Sequence, residues 1–399
     1  APCPAPWRVP WMTQPGVTVA ESFLIVGGGL AGMLLARALR AYGLPVLLVD
    51  DEHPQAASRV AAGLVNPLAG MRFNPPPGIA AWLEAARRTY EQVEAERGAA
   101  VFHPLPMYRL FRSEQQIRFH TRRLEDLPEH LHPQGLFGPR LPAGELAFSS
   151  DGTGIRVRAP HGAFEQASTG WLQVNALLEH ERERLRLADA LVLDHFDPEE
   201  LSIRDRRGAA PRWRGERLAG VIFCEGHRGR ENRWFADLPW APDKGELLTV
   251  RLERHDSPAV GDAPADRARI VNGAHWLIPL GGNRYRFGAT HEHHRIDTVP
   301  TESARRELLA GLRRMLASSS SFSVIDHRAG VRPATADRRP FMGAHPRRPW
   351  MMIFNGFGAR GSLSIPYHAE RMADWIARAK PLPETARLDL RWRHAVSGR

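Results

Sequence analysis

The chain has 399 residues, 43% hydrophobic and 25% charged, values of an ordinary folded protein and far from the composition of disorder. Its formal charge of +10 would suit a nucleic-acid surface, but 52 of the 54 basic residues are Arg, with Lys only at Lys244 and Lys380. They are spread beside Asp and Glu, as in the run from Glu181 to Arg186, which reads as a solvated helix face, so no dedicated nucleic-acid surface is expected. Cys3 and Cys224 are too few for a disulfide framework or a cysteine zinc centre and fit a reducing cytoplasm.

Residues 1–20 read as a disordered tail; its first eleven residues, rich in Pro and Ala, also fit an over-extended start, with Met12 as the candidate beginning. Residues 22–26 are a short apolar run ending at glycines, as a buried parallel strand does. Leu30 to Ala41 is a helix ended by Gly43 and Pro45, and Val46 to Val49 is a second buried strand closing on Asp50, so the three form a βαβ unit. The uncharged stretch from Phe23 is too short and too rich in glycine for a membrane span.

A helix is predicted over 78–98, a strand over 101–111 and a second helix over 113–127. Residues 152–160 are strand-like, 171–187 helical, and 191–203 one or two short surface strands. Leu218 to Cys224 is a buried strand ending at Glu225 and Gly226. The runs 275–280 and 284–289 flank Gly281-Gly282-Asn283 as a hairpin, and a helix capped by Thr301 covers 301–317. A strand over 350–354 then meets Gly356, Gly358 and Gly361, with a last helix over 364–379. The fold class is α/β: a Rossmann-type dinucleotide-binding domain of residues 21–75, 165–238 and 327–399, interleaved with a strand-rich α+β substrate domain of residues 76–164 and 239–326.

Gly27-Gly28-Gly29-Leu30-Ala31-Gly32 satisfies G-x-G-x-x-G directly after a strand and at the opening of a helix. Gly27 permits the tight turn, Gly29 lets the backbone approach a pyrophosphate, Gly32 brings helix onto strand, and Leu30 and Ala31 open the helix whose free N–H groups face an anion. Asp50, 18 residues after Gly32, is placed to accept ribose hydroxyls and disfavours a 2′-phosphate. The motif does not choose between NAD and FAD.

Residues 56–67 (AASRVAAGLVNP) and the segment from Arg328 to Pro366, with KGELL at 244–248 and VIFCEG at 221–226, resemble the D-amino-acid oxidase superfamily, which includes glycine oxidase, sarcosine oxidase and the oxidase half of a wobble-uridine tRNA-modifying enzyme. The resemblance implies noncovalent FAD, with Ser58, Arg59, Ala62 and Gly63 along the pyrophosphate and flavin edge. It also implies that the turn carrying Gly358, Arg360, Gly361 and Ser362 meets the flavin pyrimidine, where a helix N-terminus would stabilise the charge of the reduced ring. Gly226, ending its strand, joins the cofactor set.

Arg332, held extended before Pro333, sits where the resemblance places the arginine that pairs with a substrate carboxylate. Arg286 occupies a position where sarcosine-oxidase-like relatives carry a lysine, which leaves oxidase against dehydrogenase open, so the acceptor is oxygen or another electron carrier. Arg332, Arg286 and Arg360 are the candidate catalytic residues, and His275 and Tyr285, with Trp276, are candidates for the substrate pocket. His291, His293 and His294 complete no recognisable ligand spacing, so no metal is expected. The expected activity is oxidation of a C–N bond in a small amine or amino acid by hydride transfer to flavin N5. A tRNA-modifying FAD oxidase and a noncatalytic dinucleotide-binding protein are the alternatives.

Overall fold

The structure is a computed structural model that describes residues 21–68, 70–150, 153–202, 211–253, 268–318 and 320–396; the tail expected over 1–20 lies outside the described residues. The chain divides into two compact units, one of residues 1–59, 175–242 and 332–399 and the other of residues 60–174 and 243–331.

The first unit is built on five parallel strands in the order Leu191–Leu193, Val46–Asp50, Ser22–Val26, Glu216–Phe223 and Arg348–Asn355. Phe341–His345 adds an antiparallel strand at one edge. The strands are short and apolar because both faces are covered: Leu24, Ile25, Leu48, Val221, Ile222 and Phe354 are at most 1% exposed. Helix Leu30–Ala41 packs along helix Gly361–Arg378, and Tyr42 donates its hydroxyl to Asp374 Oδ1 at 2.5 Å. The stretch from Phe23 to Leu39 thus divides into strand, turn and helix, and among the described residues no helix is long and apolar enough to cross a membrane.

The short strands expected over 191–203 are Leu191–Leu193, which joins the edge of the parallel sheet beside Leu48 to Asp50, and Leu201–Ser202. One local expectation changes here: the charged run after Glu181 is not simply solvated. Glu181 is 2% exposed and pairs with Arg37 at 2.7 Å and Arg184 at 2.9 Å, while only the Arg186–Glu183 pair has both partners largely exposed.

The second unit is built on an eight-stranded sheet, in the order Phe322–Arg332, Asp243–Leu252, Arg284–Gly288, Trp276–Gly281, Ile270–Asn272, Met107–Leu110, Ala163–Gln166 and Arg140–Leu141. One face packs on helix Glu302–Met315 and the hairpin Gly144–Ser150 with Thr153–Ala159, through Leu308, Leu312, Met315, Tyr285, Phe287 and Leu277. Each fully buried Leu contributes about 1.5–3 kcal/mol. Thr301 caps that helix, its Oγ1 accepting from Ala304 N at 3.2 Å. The other face gathers Ala62, Met107, Trp171, Ile270 and Ile278.

The strand expected over 101–111 divides into Phe102–Pro104 and Met107–Leu110, since the proline at 106 has no N–H to give a ladder. Trp171 and Leu172, expected to open a helix, belong instead to the strand Gly170–Leu172 between Leu64–Val65 and Phe102–Pro104, and the helix runs over Val174–Leu187. This small antiparallel sheet carries residues 60–75 and 165–174 into the second unit, although the sequence groups them with the first.

Candidate functional site

The glycine-rich turn closes the first strand onto the first helix. Gly27 has φ +105°, donates to Val49 O at 2.9 Å, and a Cβ there would lie 2.6 Å from Cys224 O. A Cβ on Gly28 would lie 2.7 Å from Asp50 Cγ, one on Gly29 3.2 Å from Ser58 Oγ, and one on Gly32 would collide with Gly27 O. Backbone thus excludes a side chain at Gly27 and Gly32, and the Asp50 and Ser58 side chains crowd one at Gly28 and Gly29, which keeps the turn compact beside a pyrophosphate site. Gly29 is the N-cap and offers no side-chain cap; Leu30 N donates to Ser58 Oγ at 2.9 Å, and Leu30 and Ala31 form the first turn.

Asp50 Oδ1 accepts the Gly28 N–H at 2.8 Å, and its Oδ2 accepts from the Arg182 guanidinium, which also holds Glu52 at 2.9 Å. Arg182 is the residue that sequence reasoning missed: it stands 132 positions from Asp50, within the run that read as a solvated face. Arg59 lies 3.4 Å from Glu52, and its carbonyl accepts from Asn175 Nδ2 at 3.3 Å. At the end of Glu216–Phe223, Gly226 has φ +61° and its carbonyl accepts from Asn355 Nδ2 at 3.0 Å. Burial pushes the neighbouring Glu225 carboxyl up to about 7, although Asn232 Nδ2 donates to it at 2.7 Å. Burial also raises the Cys224 thiol, which sits in the core.

The C-terminal turn has a helix start of the same kind. Gly358 has φ +56° and donates its N–H to Pro333 O at 3.0 Å, so that N–H is already used. The helix begins at Gly361, three residues earlier than the sequence suggests, which makes Gly361 and Ser362 its first two residues. Its N-cap, Arg360, offers no side-chain cap, and burial, then the charge of Arg338, lowers the pKa of the Arg360 guanidinium. Arg332 ends the strand Phe322–Arg332 directly before Pro333, extended as a residue before proline must be.

In the second unit, Gly63 has φ +73° and a Cβ there would collide with Leu172 O; its own carbonyl accepts Leu172 N at 2.9 Å. Arg286 pairs in register with Ile278, and its Nη1 reaches the carbonyls of Ala61 and Ala62 at 3.4 Å each. Burial, and then Arg328, lowers its pKa. The charge of Asp326, which pairs with Arg328 at 2.5 Å, acts the other way.

His275 and Tyr285 are not brought onto the Arg286 face. Tyr285 is 0% exposed in the core around Leu308 and Leu312, and the His275 ring lies against Gly311 and Phe287. Side chains alternate along a strand, so neighbours of Arg286 and Trp276 point to the opposite face. Trp276, expected beside His275, packs against the Ala62, Met107 and Ile278 cluster. Of the three clustered histidines, His291 lies 2.7 Å and His293 3.9 Å from Asp243, a carboxylate the local spacing did not reveal.

The first unit fits a dinucleotide: glycines crowded against any Cβ, two helix starts whose N-cap residues make no side-chain cap, and an acid ending the second strand. The sequence pattern of the FAD dependent oxidoreductase family, DAO, matches residues 22–375. Glycine oxidase of Pseudomonas aeruginosa is 26% identical over 389 residues, covering 92% of this chain and 98% of that enzyme. The tRNA 5-methylaminomethyl-2-thiouridine biosynthesis bifunctional protein of Caulobacter vibrioides is 29% identical over 373 residues, 91% of this chain but 55% of that protein, so the chain spans about half its length. The solved structure of iminodiacetate oxidase from Chelativorans sp. BNC1 shares the fold, with a TM-score of 0.69 and 21% identity over 91% of this chain and 98% of that one. The chain belongs to the FAD dependent oxidoreductase family, and its cofactor is FAD.

Proposed function

We propose that the protein oxidises a C–N bond of a small amine or amino acid. FAD, when bound, supplies the acceptor for the hydride leaving the carbon that bears nitrogen. The Gly27 to Gly32 turn and Asp50 would hold the dinucleotide, and the N–H groups at Gly361 and Ser362 would stabilise negative charge on the reduced flavin. Arg332 pairs with the substrate carboxylate, and Pro333 keeps its backbone extended. No general base is required if the amine binds neutral, and the imine that leaves is hydrolysed by water.

The observation that carries this reading is Arg286. Its guanidinium is mostly buried on an apolar sheet face with Ile278, and it meets carbonyl oxygens rather than a carboxylate. Such a cation favours substrates that bring their own negative charge and supports negative charge developing nearby. The likeness to glycine oxidase along nearly all of that enzyme's length supports the same substrate class.

The test is an anaerobic titration of the purified yellow protein with glycine, sarcosine, proline and iminodiacetate, following flavin bleaching. One or more should bleach it, and peroxide released on admitting air would identify an oxidase. A flavin that none of a broad amine panel reduces would sink the reading. A second reading, oxidation of a modified tRNA nucleoside, is favoured by the 29% identity to the bifunctional tRNA proteins. Salt-sensitive retention of tRNA at physiological ionic strength is its signature, and no retention would exclude it.

A further inference from the structure

Asp50 ends the second strand of the first unit, and both of its carboxylate oxygens are engaged. Oδ1 accepts the Gly28 N–H at 2.8 Å, and Oδ2 accepts from Nη2 of Arg182. That Nη2 also reaches the Gly28 carbonyl at 3.4 Å, while Nη1 donates to Glu52 Oε1 at 2.9 Å. One guanidinium thus holds the acid, the residue two positions after it and a glycine of the turn. The Arg182 and Asp50 side chains are each 11% exposed, so water and salt screen this pair far less than a surface one.

Arg182 reaches this point from helix Val174–Leu187. The residue before it, Glu181, ties the same helix to Arg37 of helix Leu30–Ala41 at 2.7 Å. The helix is therefore anchored in the first unit without help from Arg182. Every hydrogen bond of the Arg182 side chain goes instead to Asp50, Glu52 and Gly28, and its Nε is buried without a partner.

A carboxylate offers about four acceptor positions. Gly28 and Arg182 take one on each oxygen of Asp50, which leaves one on each for a ribose hydroxyl. Held from two directions, the carboxylate has no rotamer freedom left to lose when a ligand arrives. Glu52, beside it, has φ +53°, a conformation a glutamate avoids unless its surroundings hold it there.

We infer that Arg182 is a positioning residue of the cofactor site: it fixes the Asp50 carboxylate in the orientation that accepts the ribose hydroxyls of FAD, and so sets how tightly FAD is held. The inference rests on the reading of Asp50 as the ribose acid. A planar fork suits the task, because its two terminal nitrogens serve two carboxylates and a carbonyl at once, which the point charge of a lysine does not. If Arg182 only ties its helix to the sheet, its loss costs stability and leaves FAD affinity alone.

The experiment dilutes the FAD-loaded protein in steps and reads the Kd of FAD from the fluorescence of the released flavin. Arg182→Met should raise Kd at least about 10-fold, the loss expected for hydrogen bonds to a charged group. In an Asp50→Asn background the same change should alter Kd by less than about 2-fold, since Arg182 then has no carboxylate at that position to orient. Arg37→Met, which removes the buried pair one residue away on the same helix, should lower the urea midpoint but change Kd by less than about 2-fold. An unchanged Kd in Arg182→Met, an equal rise in Arg37→Met, or a full rise in the Asp50→Asn background would overturn the assignment. Should Arg182→Met not fold, Arg182→Lys decides: it keeps the charge without the fork, so Kd should rise at least about 3-fold, and an unchanged Kd overturns the assignment. Asp50→Asn alone is read separately. If it leaves Kd unchanged, the reading of Asp50 as the ribose acid falls; if it raises Kd while Arg182→Met does not, only the role of Arg182 falls.

Discussion

The Gly28 N–H donates to Asp50 Oδ1 at 2.8 Å, so the acid ending the second strand closes the glycine turn that opens the first helix. The same carboxylate holds Arg182, whose side chain is 11% exposed. Turn, strand end and a distant helix are locked together by one side chain. Asp50→Ala removes an acceptor for Gly28 and leaves Arg182 with Glu52 and the Gly28 carbonyl. The variant should purify with little flavin and bind added FAD at least about 10-fold more weakly, measured by quenching of FAD fluorescence. Stoichiometric yellow protein would remove Asp50 from the cofactor site.

Gly63 tests the backbone geometry of the second unit. Gly63→Ala places a methyl group against Leu172 O and imposes a side chain on φ +73°. A loss of about 1–3 kcal/mol is expected, read from urea denaturation. Gly154→Ala, where a Cβ meets nothing within 4 Å, should change stability by less than about 0.5 kcal/mol.

Glu225 makes stability depend on pH. In the folded protein burial holds its carboxyl up to about 7, against 4.5 for an ordinary glutamate. The folded state thus keeps a proton that the unfolded chain releases, so stability falls as pH rises from about 4.5 to about 7 and levels off above that. Glu225→Gln retains an acceptor for Asn232 and removes the titration. The variant should be more stable than the parent by about 1–3 kcal/mol at pH 8, and the difference should vanish near pH 4. Parallel stability profiles from pH 4 to pH 8 would contradict this.

Arg332→Ala should raise KM for carboxylated amines by about 10- to 100-fold, the loss of a hydrogen-bonded charge pair, with a smaller effect on amines lacking a carboxylate. Steady-state kinetics on glycine and on an uncharged amine make the comparison. Equal effects on both would place Arg332 outside substrate recognition.

The βαβ unit and its glycine turn were legible in the sequence because their causes are local. A buried strand needs an apolar run, a tight turn needs a residue with no Cβ, and a helix needs a stop such as Gly43 and Pro45. The hairpin at Gly281-Gly282-Asn283 and the Thr301 cap have equally local reasons. Where causes are not local, the sequence misleads. Gly170–Leu172 lies beside helical sequence, and its strand exists because Leu64–Val65 and Phe102–Pro104 flank it.

The sequence by itself determined an α/β chain with a dinucleotide turn, an acid after it and a second glycine turn opening helix Gly361–Arg378, though not the helix Leu388–Val396 that follows. Only the tertiary structure decided which face each strand residue takes. One step along a strand reverses the face, so Tyr285 is sealed in the core while Arg286 beside it meets Ala61 and Ala62. Pairings such as Asp50 with Arg182 and Leu30 with Ser58, 132 and 28 positions apart, likewise follow from which elements the fold brings together. An arginine such as Arg182 looks like any other in the sequence because its partners come from the end of a strand that the fold sets beside its helix.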